Sequence, residues 1–367
     1  MTTIIIGAGA GGLACAIRLK QNNPHCSVKL LERMPSAGKK ILATGNGRCN
    51  LSNINAEHCD IVIDFFKSIG LVTRTDEEGR IYPYSNQAAT VVELLLNECS
   101  RLGIDIITDC TVSEISRNLN ITTNKGIFKA DSVVIATGGK SQKNLGSDGS
   151  GYRLLQSLGH SITPLTPALV QMTSSSKYPR KLKGHRVKCN MTILLDGETI
   201  KSEYGEVLFA DYGLSGIVTM NLSEIVSRNF SGSQPKKCHA VLDLIPDMHQ
   251  NEVSEYLNKF GNLSGILGSE LSSIIEKQAE GNPAKAAMLT KSWKLIVTGT
   301  KGFDFSQITS GGAKLDEFDE FQSKKIKGLY ACGEVLDKQF MCGGYNLNFA
   351  WYSGIAAADK ITIYNKV

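Results

Sequence analysis

The sequence predicts an α/β protein whose first unit rests on buried parallel strands, and three observations predict it. A β-branched run, Thr3-Ile4-Ile5-Ile6, leads straight into Gly7-Ala8-Gly9-Ala10-Gly11-Gly12. An apolar periodicity of helical type follows at Leu13, Ala14, Ala16, Ile17 and Leu19. A second apolar run at 28–31 then closes on Glu32. Strand, glycine turn, helix, strand and acid stand in the order of a Rossmann-like mononucleotide unit.

Each position of that unit has a task. The glycines match G-x-G-x-x-G at Gly7, Gly9 and Gly12, which alone is a weak signal. Here the strand before, the helix after and Glu32 about 20 residues beyond Gly12 supply the context that the motif requires. Gly7 makes the tight turn, Gly9 lets backbone approach a pyrophosphate, and Gly12 lets helix and strand pack closely. The helix N-terminus faces the anion, and Glu32 accepts hydrogen bonds from a ribose diol. A dinucleotide is therefore expected at this end of the chain.

Further along, Ala88, Val91, Val92, Leu95, Leu96, Cys99 and Leu102 define an amphipathic helix, with Ser85 or Asn86 as its N-cap and Gly103 as its end. Strands are expected at 104–108, on both sides of a turn at Asn124-Lys125-Gly126, and at 132–136, closing on Thr137-Gly138-Gly139. From about residue 187 to 245 the pattern turns to short strands at 187–195, 207–210 and 239–244. Helices are expected at 251–260, 270–278 and 283–291, the last with Asn282 as cap and Pro283 at its first position. Residues 293–298 return to a strand.

Composition narrows the classes. The 367 residues are 42% hydrophobic and 20% charged, enough apolar content to bury a large core, which excludes general disorder. Ten cysteines are too few for a disulfide scaffold, and they form no C-x-x-C and no zinc spacing. No run of 18 apolar residues is present, and the first residues lack a basic n-region and cleavage site, so a cytoplasmic protein without a membrane partner is expected. A formal net charge of +5 is mild. Its one concentration, Lys177 to Lys188, reads as a solvated connector, so nucleic acid is not the expected partner. Nothing in the sequence signals an oligomeric state.

A second signal sits at the opposite end. Gly328-Leu329-Tyr330-Ala331-Cys332-Gly333-Glu334 is a strand ending in Gly and an acid. Gly343-Gly344-Tyr345-Asn346 then opens an Ala-rich helix. The acid suits a ribityl hydroxyl or a pyrophosphate edge, and the helix N-terminus suits the pyrimidine carbonyl of a flavin.

The blocks GAGAGG with LLE, AGKKILATGNGRCNLSN, VVIATGGKS, GEVLFADYGLSG, VTGTKGFD with QITSGGAKL, and GLYACGEVLD with GGYNLNFAWYSG occur in this order across nearly the whole chain. In them the sequence resembles the HI0933-like flavoproteins, bacterial NAD(P)/FAD-dependent oxidoreductases often described as aminoacetone-oxidase-like. The resemblance implies a two-dinucleotide-binding FAD domain built from both ends of the chain, with a small β-barrel-like domain and a helical subdomain inserted. It implies residues 1–184 and 305–367 for the FAD domain, 185–245 and 293–304 for the barrel, and 246–292 for the helical insert.

FAD is thus the expected cofactor. Its adenosine half is expected on Gly7, Gly9, Gly12, Glu32 and Arg33, with Thr137 and Gly138 also at the cofactor. Its ribityl and flavin end is expected near Lys40, Gly47, Arg48, Cys49, Gly333, Glu334, Gly344, Tyr345 and Asn346. Gly45-Asn46-Gly47 stands where relatives commonly have three glycines. Candidates on the substrate side are Arg48, Tyr212 and Tyr345. The expected activity is reduction of a small organic substrate through the flavin, with NADH or NADPH as a transient reductant, since no second complete fingerprint follows an apolar strand. The alternatives are an oxidase using O2 and a flavoprotein that binds or modifies RNA.

Overall fold

The computed structural model describes residues 1–364. The chain divides into two compact units, Met1–Leu165 with the segment from Ile308 onward, and Thr166–Gln307.

The first unit is organised by a seven-stranded sheet. Strand β1 (Thr2–Ile6) lies inside it, between β2 (Ser27–Leu31) and the strand Ser132–Ile135. Asp105–Ile107 extends the sheet beyond β2, and Leu329–Ala331 extends it beyond Ser132–Ile135. All four of these pairings are parallel, with Ile4 opposite both Lys29 and Val133, Val134 opposite Tyr330, and Leu30 opposite Ile106. Only the edge hairpin at 318–323 is antiparallel.

Alternation along β1 explains why its run is apolar throughout. Ile5 joins a core with Leu13, Leu30, Val134 and Trp351, whereas Ile4 and Ile6 join one with Val133, Leu155 and Leu329 on the other face. Helix α1 (Ala10–Asn22) follows the glycine loop, and the C-terminal helix from Tyr345 packs beside it. Their contact is backbone to backbone: a methyl group on Gly354 would overlap the carbonyl oxygen of Gly11.

The helix Ala88–Arg101 forms where the apolar spacing places it, with Val91, Leu95 and Cys99 buried. Its flanking residue is Gln87, whose side chain makes no cap, rather than Ser85 or Asn86. The Ser85 hydroxyl is engaged with the Gln87 N–H at 3.3 Å and with Thr90 at 3.0 Å, so it does not reach the first turn's amides.

The second unit holds a closed six-stranded barrel in the order Met172–Ser174, Gly213–Ser215, Glu198–Ala210, Arg186–Leu195, Cys238–Asp243, Trp293–Thr300. Every neighbouring pair is antiparallel. Met191, Phe209, Leu242, Trp293 and Leu295 fill its core. The helices Gln250–Phe260, Ser269–Ala279 and Pro283–Lys291 bury Leu257, Ile275 and Ala287 in that same core. Asn282 caps the last of them by accepting from the Lys285 N–H at 3.1 Å.

Two expectations for this stretch differ from what is observed. The unit begins at Thr166, earlier than residue 185, because Met172–Ser174 is a barrel strand paired on both sides. The basic stretch forms a helix at Lys177–Lys181 and the start of a barrel strand at Arg186, while Arg180, Lys181, Lys183 and Arg186 remain solvated.

Candidate functional site

The parallel pairing brings the carboxyl ends of four strands to one edge of the first unit's sheet, the place where open α/β sheets bind ligands. Gly7 follows β1, Glu32 follows β2, Thr137-Gly138 follows Ser132–Ile135, and Gly333-Glu334 follows Leu329–Ala331.

The three fingerprint glycines differ in what a side chain would meet. Gly7 has φ +103°, and a Cβ there would lie 2.5 Å from the Ala136 carbonyl oxygen. A Cβ on Gly12 would overlap the carbonyl oxygen of Gly7, so helix and turn touch at this point. At Gly9 a Cβ would meet nothing within 4 Å. The space in front of Gly9 is open, and the N-terminus of α1 faces it with no side-chain cap and no acid in its first turn. Leu13 makes the first helical bond, to Gly9 at 2.9 Å, leaving the preceding N–H groups for a ligand.

Glu32 is fixed by the loop that it serves. One carboxylate oxygen accepts from the Ala8 N–H at 2.8 Å and the other from the Met34 N–H at 2.8 Å. Each oxygen keeps a lone pair for a ribose hydroxyl. Arg33 pairs with Asp148 at 3.2 Å and donates to the Gly146 carbonyl at 3.0 Å.

At the far end of the edge, Glu334 accepts from the Thr309 N–H at 2.8 Å and from Lys40 Nζ at 2.9 Å. Gly139 lets this carboxylate and the Thr309 hydroxyl approach, since any Cβ there would overlap both groups. The Gly333 N–H donates to Ser353 Oγ at 2.9 Å, which ties this turn to the C-terminal helix.

In the loop 44–49, Gly45, Asn46, Gly47 and Cys49 are left-handed, with φ between +56° and +82°, and Arg48 between them is right-handed at φ −99°. A Cβ on Gly47 would meet open space. The Arg48 guanidinium lies over the Tyr82 ring at 5.0 Å. Cys49 closes this loop. Its side chain is fully buried in the core, and burial pushes its thiol up to about 12. Burial does the same to Cys332.

Gly344 has φ +98°, and a methyl group there would overlap the Ser52 carbonyl oxygen, so the loop 50–53 runs against the start of the C-terminal helix. The Asn346 side chain is spent on its own loop, accepting from the Phe340 N–H at 2.9 Å and donating to the Phe340 and Met341 carbonyls. Tyr345 lines a shallow surface cleft with His58, Lys338, Phe340 and Tyr352. Tyr212 belongs to the second unit, where Lys301 Nζ stands 4.5 Å over its ring.

Two participants escape sequence reasoning. Thr309 enters through its backbone N–H, which no side-chain pattern marks, and Gly139 enters through its missing Cβ. The doubled Gly138-Gly139 and the Thr-Ser-Gly-Gly run at 309–312 were the signals available. Among the described residues no group of three or more His, Cys, Asp or Glu is placed to hold a metal ion, and no helix is long and apolar enough to cross a membrane.

The residues present fit FAD. An uncapped helix and open glycine suit its pyrophosphate, a fixed carboxylate its ribose, and a second carboxylate with a lysine its far half. The fold and this edge define an FAD-dependent oxidoreductase with a Rossmann-type domain and a small closed barrel. The chain belongs to the HI0933-like family: the family model, described as the HI0933-like protein Rossmann domain, matches residues 1–62 and 57–360. It is 34% identical to a 3-dehydro-bile acid delta(4,6)-reductase of Clostridium scindens, over 96% of this chain and 97% of that one. It is 27% identical to a ribosomal RNA dihydrouridine synthase of Haemophilus influenzae, over 98% of both chains. Among solved structures, a 3-ketosteroid delta1-dehydrogenase from Sterolibacterium denitrificans has the same fold, with a TM-score of 0.55 at 11% identity, covering 99% of this chain and 100% of that one.

Proposed function

We propose that this protein is an FAD-dependent reductase of a carbon–carbon double bond conjugated to a carbonyl, reloaded by NADH or NADPH. The observation that carries the reading is the end-to-end likeness to the Clostridium scindens reductase. The Haemophilus influenzae relative supports the same chemistry on another scaffold. A delta(4,6) bile acid with a 3-oxo group and a uracil ring both present an alkene beside a carbonyl, and the activity of each relative corresponds to its saturation. When bound and reduced by NADH or NADPH, FAD would supply a hydride to the β-carbon of such an alkene, whose α-carbon then takes a proton, returning the flavin to its oxidised form.

This chain's residues do the rest. Gly7, Gly9, Gly12 and the start of α1 hold the pyrophosphate, and Glu32 with Arg33 orients the adenosine half. Thr137 and Gly138 line the same edge. Lys40, Gly47, Arg48, Gly333, Glu334, Gly344, Tyr345 and Asn346 surround the other half, Asn346 by shaping its loop and Cys49 through backbone alone. The start of the C-terminal helix places partial positive charge where the flavin's pyrimidine lies. Tyr345 is the residue of this unit that can face a substrate carbonyl, its hydroxyl donating to the negative charge that develops on the oxygen, and Arg48 is a substrate-side cation for an anionic group. Tyr212 is a further substrate-side candidate. The absence of a second fingerprint supports transient docking of the nicotinamide.

The test is anaerobic mixing of the holoenzyme with NADH or NADPH, followed at about 450 nm, where oxidised flavins absorb. Bleaching, then recovery on adding a 3-oxo-delta(4) steroid, supports the reading. Absence of bleaching, or recovery with O2 and none with the steroid under anaerobic conditions, overturns it. A second reading, saturation of uridine within ribosomal RNA, is favoured by the Haemophilus relative. It predicts recovery with a ribosomal RNA fragment and none with the steroid.

A further inference from the structure

The small three-stranded sheet beside the loop 44–49 has one face that, of the proposed cofactor residues, Arg48 reaches by lying over Tyr82. Its strands are Ser52–Asn53, Arg80–Pro83 and Thr73–Thr75, with Arg74 opposite Tyr82 and Thr73 opposite Pro83. The register continues outward, the Tyr84 N–H donating to the Val72 carbonyl at 2.8 Å. Directly opposite residues, and those two apart along a strand, share a face. Val72, Arg74, Tyr82 and Tyr84 therefore stand on the same side. Ile81 and Pro83, on the other side, are buried.

That face joins apolar and cationic groups in contact. Val72 and Tyr84 are each 67% exposed. The Arg74 guanidinium lies 6.0 Å from the centre of the Tyr84 ring, and that of Arg48 lies 5.0 Å from the Tyr82 ring. Tyr82 is nearly buried beneath this layer. The edge strand Ser52–Asn53 leads to the cofactor end: Asn53 Nδ2 donates to the Gly343 carbonyl at 3.1 Å, and Ser52 lies against Gly344.

We infer that this face is a substrate subsite for an amphipathic small molecule with an apolar ring body and a single carboxylate, the rings lying on Val72 and Tyr84 and the carboxylate held by Arg74 and Arg48. The inference rests on the proposed reduction of a small-molecule enone and names which substrates it favours. Arginines held over tyrosine rings offer their edge N–H groups to a carboxylate while their flat faces stay packed. The charge around the sheet argues for one anionic group and not for a polyanion. Asp76, Glu77 and Glu78 occupy the tip of the same hairpin, and only Arg80 answers them, pairing with Asp76 at 2.8 Å and with Glu78 at 2.6 Å. The two carboxylates in excess offset Arg48 and Arg74, so the sheet as a whole has no positive field to draw a nucleic acid backbone.

The experiment is calorimetric titration of the holoenzyme with deoxycholate, kept below its micellar concentration, and with its methyl ester. Neither probe has an enone, so binding is read apart from turnover. The expected result is a preference of about fivefold for the carboxylate, abolished by Arg74→Gln, whereas Tyr84→Ala weakens both probes alike. Normal FAD content of each variant serves as the folding control. Equal affinity of the wild type for acid and ester, or unchanged binding in both variants, overturns the inference. So does salt-sensitive binding of a ribosomal RNA fragment that Arg74→Gln weakens, which would assign the face to RNA. Acid-selective binding without turnover of a neutral 3-oxo-delta(4) steroid would sink the proposed reaction and leave the subsite standing.

Discussion

Lys40 and Glu334 lie 294 positions apart in sequence and meet in an ion pair of 2.9 Å, each side chain about a fifth exposed. The lysine comes from the segment after β2 and the carboxylate from the end of the last parallel strand. Their contact ties the two sequence blocks expected to flank the far half of FAD. Glu334 also holds the Thr309 N–H, so one carboxylate organises three separate stretches of chain.

Removing either partner leaves the other charge half-buried without its counterpart, at a cost of about 1–3 kcal/mol. Lys40→Met and Glu334→Gln are therefore expected to weaken FAD binding about tenfold or more. Titration of apoprotein with FAD, read by quenching of flavin fluorescence, measures it. Unchanged affinity in both variants would place the pair outside the cofactor site.

Gly9 and Gly12 separate binding from folding. A methyl group at Gly9 meets open space, so Gly9→Ala should fold with a normal apoprotein melting temperature and lose FAD. At Gly12 a methyl group overlaps the Gly7 carbonyl oxygen, so Gly12→Ala should lower the melting temperature of the apoprotein itself. Thermal melts with and without FAD read both outcomes, and equal behaviour of the two variants contradicts the assignment.

Cys49 should be chemically silent. Burial raises its thiol to about 12, so at pH 8 almost no thiolate exists and no solvent path reaches it. Mass spectrometry after iodoacetamide treatment of the native protein should leave Cys49 unmodified. Cys49→Ala should retain bleaching by NADH or NADPH, and loss of bleaching in a fully FAD-loaded variant contradicts this.

Acid stability should depend on Glu317. Burial acts to raise its pKa, but Lys325, the Ser161 N–H and His160 outweigh it and carry it down to about 2. A depressed folded-state pKa means that the contribution is present above about pH 4.3, the unfolded value, and is lost as pH falls toward 2. His160, whose pKa is lowered by burial, loses stability in the same direction, beginning below about pH 6.5. Urea midpoints between pH 7 and 3 should fall for the wild type and fall less steeply for Glu317→Gln. Parallel curves would exclude the role.

What was legible in the sequence was local. Strand β1, the glycine loop, α1, β2 and Glu32 follow one another, and each apolar period maps onto one buried face. The helix Ile217–Ser231 was missed because its buried face includes Thr219, Ser223 and Ser227, which break the apolar pattern. Those hydroxyls are satisfied inside the fold, Thr219 by the Ser215 carbonyl and Ser223 by the Val170 N–H. The strand Glu198–Ala210 was legible only at 207–210, since its earlier part is largely exposed. At the site, glycines and acids could be named, but the Lys40–Glu334 pairing and the burial of Cys49 arise from tertiary geometry and leave no periodic trace.

The overlap-tight contact of Gly354 with Gly11 has a temporal consequence. Helix α1 is synthesised well before the helix that covers it and before the strand Leu329–Ala331 of its sheet. Until translation has passed Gly354 the nascent chain carries a phosphate cradle with an unpaired sheet edge beside it and bare glycine backbone on α1. Closure of the two helices on each other is thus a late step in the folding of this polypeptide, since it waits for Gly354.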